Sequence, residues 1–350
     1  MRALFLTLYP ESVASPRYRV HQFLPFLRAH GVECDVACPF TAEEFTRLRA
    51  KAADGRARSY HLHEARVRAL QILRARRYDV VFLQKAAMSA YVRGFATQLR
   101  LRARRLIYDI DDAVHLAPPN PLPERWRRIE EPDQVLHLLK SADLVLAGNT
   151  WLRDAALSAG GRADVFPTVV DTDRFTPAVR NTDKFVIGWI GGTSTSDHLA
   201  PLAEVLNELS DAEVRVIGAN PVRAAIEKAW HRPWTLETEV REVQEFSVGI
   251  MPLPHTDWAR GKCALKALQY MACGIPCVAT PFGAVLDIIQ DGENGLFAET
   301  LEEWRAALDR LRDPALRRRL GEAGRRTVEE RFSVEVAAPK LLAYLETAAK

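Results

Sequence analysis

Short apolar runs alternate with longer amphipathic stretches over the first half of the chain. The runs predicted to be strands are Ala3–Leu8, Cys34–Ala37, Asp79–Leu83, Leu106–Ile110, Leu144–Ala147 and Val165–Pro167. Between them the pattern predicts helices over Tyr18–His30, 42–77 and about 87–103. Continuous apolar strands that alternate with helices are typical of a parallel sheet covered on both faces. The first half therefore predicts an α/β domain.

The same pattern restarts after a polar, proline-containing stretch, Thr172–Lys184. Further strands are predicted at Phe185–Ile190, Val214–Ile217, Val248–Met251, Cys277–Ala279 and Gly295–Phe297, and helices over 198–209, 263–273, 301–311, 314–330 and 334–348. We expect an α/β chain with two domains, 1–176 and 177–333, and a separate last segment, 334–350. Open parallel sheets bind ligands at the carboxyl ends of their strands, so two Rossmann-like sheets predict a cleft between them.

The composition is that of a folded enzyme. The 350 residues are 48% hydrophobic and 27% charged, which excludes collagen-like, disordered and coiled-coil classes. The net charge, 48 − 45 = +3, is too small to indicate nucleic-acid binding. Residues 1–178 hold 27 basic and 20 acidic side chains, against 21 and 25 in residues 179–350. The basic first half, with Arg100, Arg102, Arg104 and Arg105 close together, fits contact with an anionic membrane surface or simply solvated arginines.

Targeting signals and cysteines bear on the expected location. The five cysteines are an odd number, and no second Cys/His cluster completes a zinc site. They predict free thiols in a reducing cytoplasm. The apolar run at the beginning of the chain is short and ends at Pro10, unlike a signal peptide. No window approaches 18 uninterrupted apolar residues. We therefore expect a cytoplasmic protein, with the inner face of the membrane as an alternative.

A glycine-rich turn follows the first strand of the second domain. The strand Phe185–Ile190 leads into Gly191 and Gly192, then into Thr193 and a predicted helix. Glycines let a ligand approach the backbone, and the N–H groups and dipole of a helix start favour a phosphate. The alternative is that Ser196 or Asp197 merely caps the helix.

The richest stretch for chemistry follows the strand Val248–Met251. There Arg260, Gly261 and Lys262 precede a predicted helix, and Lys266 and Gln269 lie on the side of that helix that carries Lys262. A helix start with a lysine at its head brings a dipole, N–H groups and a full positive charge together, which suits a diphosphate. The alternative is a surface lysine on a core helix.

This stretch resembles the donor-site region of family 4 glycosyltransferases. The resemblance is carried by GKCALKALQYMACGIPCVATPFG and DGENGLFA, and in order by RYRVHQFLPFLRAHGVECDV, YDIDDA, VFPTVVDTDRF and WIGGTSTSDHL. It spans nearly the whole chain. It implies the GT-B fold, a nucleoside-diphosphate sugar as co-substrate, transfer with retention, no metal or other cofactor, and a last helix that returns to the first domain.

The chain departs from that family at the E-x7-E motif. Aligned on MACG, the two acids fall at Gly261 and Gln269, and both are absent. The family's second acid holds the donor ribose, a role that the amide of Gln269 could take. Lys262 and Arg260 keep their positions as diphosphate ligands. Glu239, with Glu237 beside it, is a candidate to replace a lost acid, and the alternative is an ordinary helix start.

Candidate acceptor-side residues follow the strands of the first domain. Arg17 and Arg19 open its first helix and could grip a phosphate, unless they are merely exposed. Asp109, Asp111 and Asp112 end a strand, where a carboxylate could orient an acceptor hydroxyl or accept its proton. Close carboxylates repel each other, so at least one pKa should rise. Other strand-end side chains are Gln84, Lys85 and, further on, His115. The alternative for Asp111 and Asp112 is a metal-binding DxD motif.

These features lead to a functional hypothesis. We expect a glycosyltransferase that moves a sugar from a nucleoside-diphosphate sugar to an acceptor hydroxyl, in polysaccharide, cell-envelope or glycolipid biosynthesis. The acceptor is a carbohydrate, a lipid-linked intermediate or a small molecule. Catalysis would fall to Lys262 and the aspartates. The alternatives are a catalytically degenerate sugar-nucleotide-binding subunit and a related epimerase. A dehydrogenase is disfavoured because no strand is followed by G-x-G-x-x-G with a later acid.

Overall fold

The computed structural model describes residues 1–52, 57–179, 184–218 and 225–350. Two compact units make up the chain. The first unit contains residues 1–168 and 337–350, and the second unit contains residues 169–336. Among the described residues, no helix combines the length and apolar character needed to cross a bilayer.

The described part of the first unit contains a six-stranded parallel sheet. Its strands are β1 (Arg2–Leu6), β2 (Glu33–Ala37), β3 (Val80–Gln84), β4 (Leu106–Ile110), β5 (Leu144–Ala147) and β6 (Ala163–Val165), in the order β2-β1-β3-β4-β5-β6. The central strands β3 and β4 are buried along their whole length. Parallel strands covered on both faces are continuously apolar, which is why the sequence predicted them.

Helices pack on both faces of this sheet. They are α1 (Ala14–Arg19), α2 (Leu24–Ala29), α3 (Ala42–Lys51), α4 (Ala57–Arg74), α5 (Phe95–Arg102), α6 (Gln134–Ser141) and α7 (Thr150–Ser158). The last helix, α14 (Val334–Ala349), contributes Ala337 and the following residues to this unit. There the Tyr344 ring meets the Phe166 ring edge-on, with centroids 6.3 Å apart.

Several predicted helices of the first unit are wrong in extent. The helix predicted over Tyr18–His30 is divided at Val20, whose φ of −131° leaves the helical range. The helix predicted over 42–77 is two helices, α3 and α4, and residues 53–56 between them lie outside the described part. The helix predicted from about 87 begins only at Phe95, because Tyr91 and Gly94 have positive φ values.

The second unit contains another six-stranded parallel sheet in its described residues. Its strands are β7 (Phe185–Gly191), β8 (Ala212–Gly218), β9 (Ala229–Arg232), β10 (Val248–Met251), β11 (Cys277–Ala279) and β12 (Leu296–Phe297), in the order β12-β11-β10-β7-β8-β9. Its helices are α8 (Ala203–Glu208), α9 (Glu239–Gln244), α10 (Asp257–Arg260), α11 (Leu265–Ala272), α12 (Leu301–Arg310) and α13 (Pro314–Arg331).

Two local features of this unit escaped the sequence analysis. Strand β9 is short and mostly exposed, so its residues show no apolar run. The stretch predicted as a helix over 198–209 begins as a 3₁₀ helix, Thr193–Leu202, and becomes α-helical only at Ala203. Pro201 lies inside the 3₁₀ part and has no N–H to donate.

Helix α11 packs closely against α13. A Cβ built on Gly321 of α13 would lie 2.0 Å from the carbonyl oxygen of Gly274, so only hydrogen fits there. Arg325, one turn further, donates to the carbonyl oxygens of Ala272 (2.6 Å) and Thr172 (3.0 Å). These contacts fix the carboxyl end of α11 and the segment around Thr172 on one helix.

We predict that Gly321→Ala destabilises the second unit by about 1–3 kcal/mol through overpacking. The higher helix propensity of alanine works in the opposite direction. Gly324→Ala is the matched control, because its Cβ would meet Asn294 and Met271 atoms at a less severe 3.2 Å. Urea unfolding midpoints measure both, and equal midpoints for the two variants would contradict the packing argument.

Candidate functional site

The carboxyl end of β7 is built closely against two side chains. A Cβ on Gly191 would lie 2.5 Å from the Trp189 ring and 2.8 Å from the Cε of Lys266. A Cβ on Gly192 would meet nothing within 4 Å. Gly191 is therefore required by packing, whereas Gly192 leaves its backbone open on that side. The side chain of Thr193, the third residue predicted here, lies outside the described part.

Two lysines near this strand end lie over indole rings. The Nζ of Lys266 is 5.1 Å from the Trp189 centroid, and the Nζ of Lys262 is 5.3 Å from the Trp258 centroid. An indole face attracts a cation, which favours an ordered ammonium group. Both lysines lower the pKa of one histidine, His198, so both charges act on the same neighbourhood.

His198 was not singled out by the sequence analysis. Burial, then the positive charges of Lys266 and Lys262, lower its pKa from 6.5 to about 4. At neutral pH the ring is uncharged beside two cations. This leaves a positively charged site with a neutral hydrogen-bonding ring, a combination suited to an anionic ligand.

The turn before α11 is irregular. The helix predicted from residue 263 begins at Leu265, because Ala264 has a φ of 53°, a strained value for a residue with a side chain. Strain of this kind concentrates at functional sites. Arg260 lies at the end of α10, where its guanidinium is 5.0 Å from the Phe282 centroid and 3.6 Å from an Asp257 carboxylate oxygen.

The carboxylate of Glu239 joins three separate segments. Its Oε1 accepts hydrogen bonds from Gln269 Nε2 at 3.0 Å and Trp234 Nε1 at 3.1 Å, and its Oε2 accepts one from Arg174 at 2.7 Å. Glu239 is 2% exposed and Gln269 is 3% exposed. Gln269 stands where the family's second acid is missing, and Glu239 is the acid predicted to replace it. The structure places these two side chains in contact.

In the first unit, Arg19 and Asp109 are paired with each other. The side chains are 1% and 0% exposed, and Arg19 Nε lies 3.1 Å from Asp109 Oδ2. Arg19 also donates to the Phe166 carbonyl oxygen at 2.8 Å. Burial raises the pKa of Asp109 to about 6, although Arg19 acts in the opposite direction. This pairing favours a structural role for both residues over phosphate binding and proton transfer, and it differs from the roles expected from the sequence.

Asp111 and Asp112 lie after β4, and their partners come from α1 and from the end of β3. Ser15 donates to Asp111, and Gln84 Nε2 donates to Ser15 at 2.6 Å. Lys85 forms an ion pair with Asp112 and lies 3.8 Å from Asp111. Burial lowers the pKa of Lys85, but the two carboxylates outweigh it, so the pKa lies above its usual value. In the DxD alternative, a metal ion would compensate the charges of Asp111 and Asp112. In the structure, the ammonium group of Lys85 compensates them.

Arg17 and His115 complete the residues predicted for this side. Arg17 is 7% exposed, so it is not the exposed arginine of the alternative interpretation, and its guanidinium lies 5.2 Å from the Tyr18 centroid. His115 contacts the Trp151 ring and lines a cavity of about 340 Å³. The other lining residues are Tyr91, Leu116, Ala117, Pro118, Pro121, Arg127, Glu130 and Pro132.

A group of carboxylates in the second unit could hold a metal ion. Oxygen atoms of Asp171, Asp173 and Glu335 lie within 4.8 Å of one another. Two backbone N–H groups, from Asp173 and Arg174, already bond to Asp171 Oδ1. Asp111 and Asp112 do not belong to this group, which was found among the described residues only.

The lowered pKa of His198 predicts a pH-dependent stability. Between about 4 and 6.5 the unfolded chain binds a proton that the folded chain does not, so stability falls as the pH falls through that window. We expect His198→Gln to lose less stability on acidification from about pH 7 to about pH 5 than the wild type does. Urea unfolding at both pH values measures this, with His231→Gln, an exposed histidine of the same unit, as the control. Equal losses in wild type and His198→Gln would contradict it.

Part of this chain matches a known protein family. Residues 184–313 match the family model described as Glycosyl transferases group 1. The N-acetyl-alpha-D-glucosaminyl L-malate synthase of Bacillus anthracis is 36% identical over 86 residues, which cover 24% of this chain and 22% of that protein. The chain thus matches about a fifth of the length of this curated relative.

Solved structures resemble the whole chain. A sucrose-phosphate synthase from Thermosynechococcus elongatus matches with a TM-score of 0.70 at 16% identity, covering 100% of both chains. HepE from Anabaena, in complex with UDP and glucose, matches with a TM-score of 0.68 at 14% identity, covering 99% of this chain and 100% of that one. The chain therefore has the GT-B fold, and residues 184–313 of its second unit match the group 1 glycosyltransferase model.

Proposed function

We propose that this protein transfers a sugar from a nucleoside-diphosphate sugar to an acceptor hydroxyl. The observation that carries the proposal is the group of cations at the carboxyl end of β7, inside the segment that matches the group 1 model. Lys262 and Lys266 lie over tryptophan rings there, beside an open glycine backbone. HepE, which shares the fold, binds UDP and glucose in its crystal structure.

The cations suit the chemistry of the leaving group. When the glycosidic bond breaks, the departing nucleoside diphosphate gains negative charge, and positive groups already in place stabilise it. Lys262, with Arg260 and Lys266, would bind the diphosphate, and the backbone of Gly191 and Gly192 would lie along it. Three cationic side chains can neutralise this charge without a metal ion. Metal-independent transfer is therefore part of the proposal, and retention is added to it because the resemblance to family 4 glycosyltransferases implies it.

The acceptor would bind at the strand ends of the first unit. Asp111 and Asp112 are partly accessible there, with side chains 11% and 15% exposed, whereas Asp109 is buried in its pair with Arg19. A carboxylate held by Ser15 and Gln84 is oriented to accept a hydrogen bond from a hydroxyl. We assign hydroxyl orientation to Asp111 and charge balance to Lys85.

An alternative remains for the whole chain: a sugar-nucleotide-binding subunit that has lost catalysis. Gly261, where the family's first acid is missing, favours it. The contact between Glu239 and Gln269 favours the active enzyme, because a buried carboxylate lies beside the altered position. Turnover of a nucleotide sugar separates the two.

We propose that the protein acts at the cytoplasmic face of a membrane. All five cysteines are free thiols, which fits a reducing compartment. On α4, Leu62, Leu70 and Leu73 are 49%, 60% and 52% exposed at helical spacing. Exposed arginines accompany them, and Glu64, the one acid of α4, is buried. Leucines among arginines on one helix face suit an anionic lipid surface. This surface supports a lipid-linked acceptor in envelope or glycolipid synthesis as part of the proposal.

We predict that Lys262→Ala abolishes most nucleoside-diphosphate binding. Thermal unfolding with UDP, GDP, ADP, dTDP, CMP and NAD identifies the ligand, since a ligand at about 100 times its dissociation constant adds about 2.7 kcal/mol. The shift should disappear in Lys262→Ala and persist in Lys184→Ala, a control lysine of the same unit. Transfer by Lys262→Ala should fall by about a hundredfold or more. A normal shift and normal turnover in Lys262→Ala would refute the diphosphate assignment.

We also predict salt-sensitive binding to vesicles. The protein should bind vesicles of phosphatidylglycerol but not of phosphatidylcholine, and less at high ionic strength. The double variant Leu70→Glu/Leu73→Glu should weaken binding at least about tenfold by adding charge to the apolar contact. Leu286→Glu, at an equally exposed leucine of the second unit, is the control. Unchanged binding in the α4 variant would show that this helix does not contact the lipid.

A further inference from the structure

The cavity beside His115 in the first unit has no role in the sugar transfer described so far. Its volume of about 340 Å³ falls within the range of about 300–1,000 Å³ that is usual for small-molecule sites. The backbone N–H of Val114 donates to the carbonyl oxygen of Asp112 at 2.7 Å. The wall that begins at His115 therefore continues directly from the acceptor-side aspartates, and a ligand in the cavity would lie next to that strand end.

Hydrogen bonds from Tyr91 hold the walls of this cavity together. The side chain is 2% exposed, and its hydroxyl donates to the carbonyl oxygens of Val114 and, at 3.2 Å, of Ala117. The carbonyl oxygen of Tyr91 accepts the backbone N–H of Glu131 at 2.8 Å. One residue thus ties the segment after Asp112 to the segment that ends the cavity. The cavity is formed in the absence of a ligand, as is usual for small-molecule sites.

The lining is mostly apolar. Its apolar side chains are Leu116, Ala117, Pro118, Pro121 and Pro132, and Tyr91 adds its ring. Among the described residues, the lining contains no Asn, Gln, Ser or Thr, and the Tyr91 hydroxyl is already engaged. A bare sugar would bury hydroxyl groups that need hydrogen-bond partners, and burying them without partners is costly. The lining therefore favours an apolar chain over a free carbohydrate.

The charged group that lines the cavity and is available to a ligand is the guanidinium of Arg127. Arg127 is exposed, and no residue in the described part of the chain forms a hydrogen bond or ion pair with its guanidinium. Glu130, an acid of the same lining, accepts the backbone N–H of Leu122 at 2.8 Å. A guanidinium presents paired donors that match a phosphate. An apolar cavity with this arginine fits a molecule that has an apolar chain and a phosphate group.

The surroundings of the cavity adjoin the helix that we propose to contact lipid. Leu116 and Ile129 are 48% and 43% exposed. The guanidinium of Arg58, on α4, lies 5.5 Å from the Trp126 centroid, and Leu62 follows Arg58 one turn later on that helix. Tryptophan with exposed aliphatic side chains is typical of a membrane interface. The cavity therefore lies where a lipid could reach it from a bilayer.

We infer that this cavity binds a lipid phosphate, with the chain against the apolar lining and the phosphate on Arg127. The inference rests on the proposed function and deepens it, because it names the class of the acceptor. The acceptor hydroxyl is carried on an isoprenoid or alkyl phosphate, and the cavity holds that carrier while Asp111 orients the hydroxyl. Arg127 binds the carrier and takes no part in breaking the glycosidic bond.

Titration calorimetry with three probes tests the phosphate contact, in the absence of any nucleotide. The probes are geranyl phosphate, geraniol and inorganic phosphate. The wild type should bind geranyl phosphate at least about tenfold more tightly than geraniol, since only the former reaches the guanidinium. Arg127→Ala should lose this preference and bind geraniol as the wild type does. Arg128→Ala is the matched control, because Arg128 is the next residue, is exposed and lies outside the lining.

A second pair of variants tests the apolar contact. Leu116→Ser should weaken the binding of geranyl phosphate and of geraniol by at least about threefold each, because both chains lose apolar contact. The ratio between the two affinities should stay as in the wild type. Leu136→Ser is the control, since Leu136 belongs to the same unit and is 43% exposed outside the lining. All four substituted side chains are at least partly exposed, so the variants are expected to fold.

The results separate the inference from the proposed function. A wild type that binds a nucleoside diphosphate but not geranyl phosphate overturns the inference alone. So does a preference for geranyl phosphate that Arg127→Ala retains or that Arg128→Ala loses equally. Inorganic phosphate that binds as tightly as geranyl phosphate would reveal an ion site without a lipid chain, which also overturns it. Binding of geranyl phosphate through Arg127 and Leu116 without any nucleoside-diphosphate binding would support the lipid-phosphate site and contradict the proposed function.

Discussion

The buried carboxylate of Glu239 is the constraint on which the second unit's site depends. It draws in Arg174 from the segment that precedes β7, Trp234 from the loop after β9 and Gln269 from α11. A buried acid is tolerated only where its charge is compensated and its oxygens are bonded. Because all three donors are required at once, the three segments must meet in one geometry, and this geometry orients helix α11, which carries Lys266.

Two lysines near the end of β7 add positive charge to the site that the Glu239 carboxylate organises. Lys262 and Lys266 lie over indole rings, and burial together with their positive charges lowers the pKa of His198 and keeps it neutral. The resulting surface is positive, ordered before a ligand arrives and backed by a strand end where only glycine fits. Groups fixed in advance do not need to reorganise as negative charge develops, which is how preorganised electrostatics accelerates bond cleavage. The first unit contrasts with this, because its charges are balanced within the protein by the pairs Arg19–Asp109 and Lys85–Asp112.

The sequence was sufficient for the strands that form apolar runs, although not for the exposed β9, and for the position of Lys262 before a helix. Buried parallel strands are continuous apolar runs, and Lys262 follows such a strand and precedes a helix, so local pattern carries both. It could not supply pairings across long separations: Gln269 lies 30 positions from Glu239, and Asp109 lies 90 from Arg19. The three aspartates at the end of β4 look equivalent by spacing, yet packing buries Asp109 in an ion pair and leaves Asp111 and Asp112 partly accessible. The predicted helix ends are wrong where a single residue adopts a positive φ, as at Ala264.

The central claim is that a nucleoside diphosphate binds across the strand end of β7 and the start of α11. Hydrogen–deuterium exchange of the full chain, with and without the diphosphate, tests it most directly. We expect slowed exchange of backbone amides in two segments, 190–198 and 261–270, with little change over β1 to β3. Bound ligand that slows exchange elsewhere and leaves both segments unchanged would contradict the account.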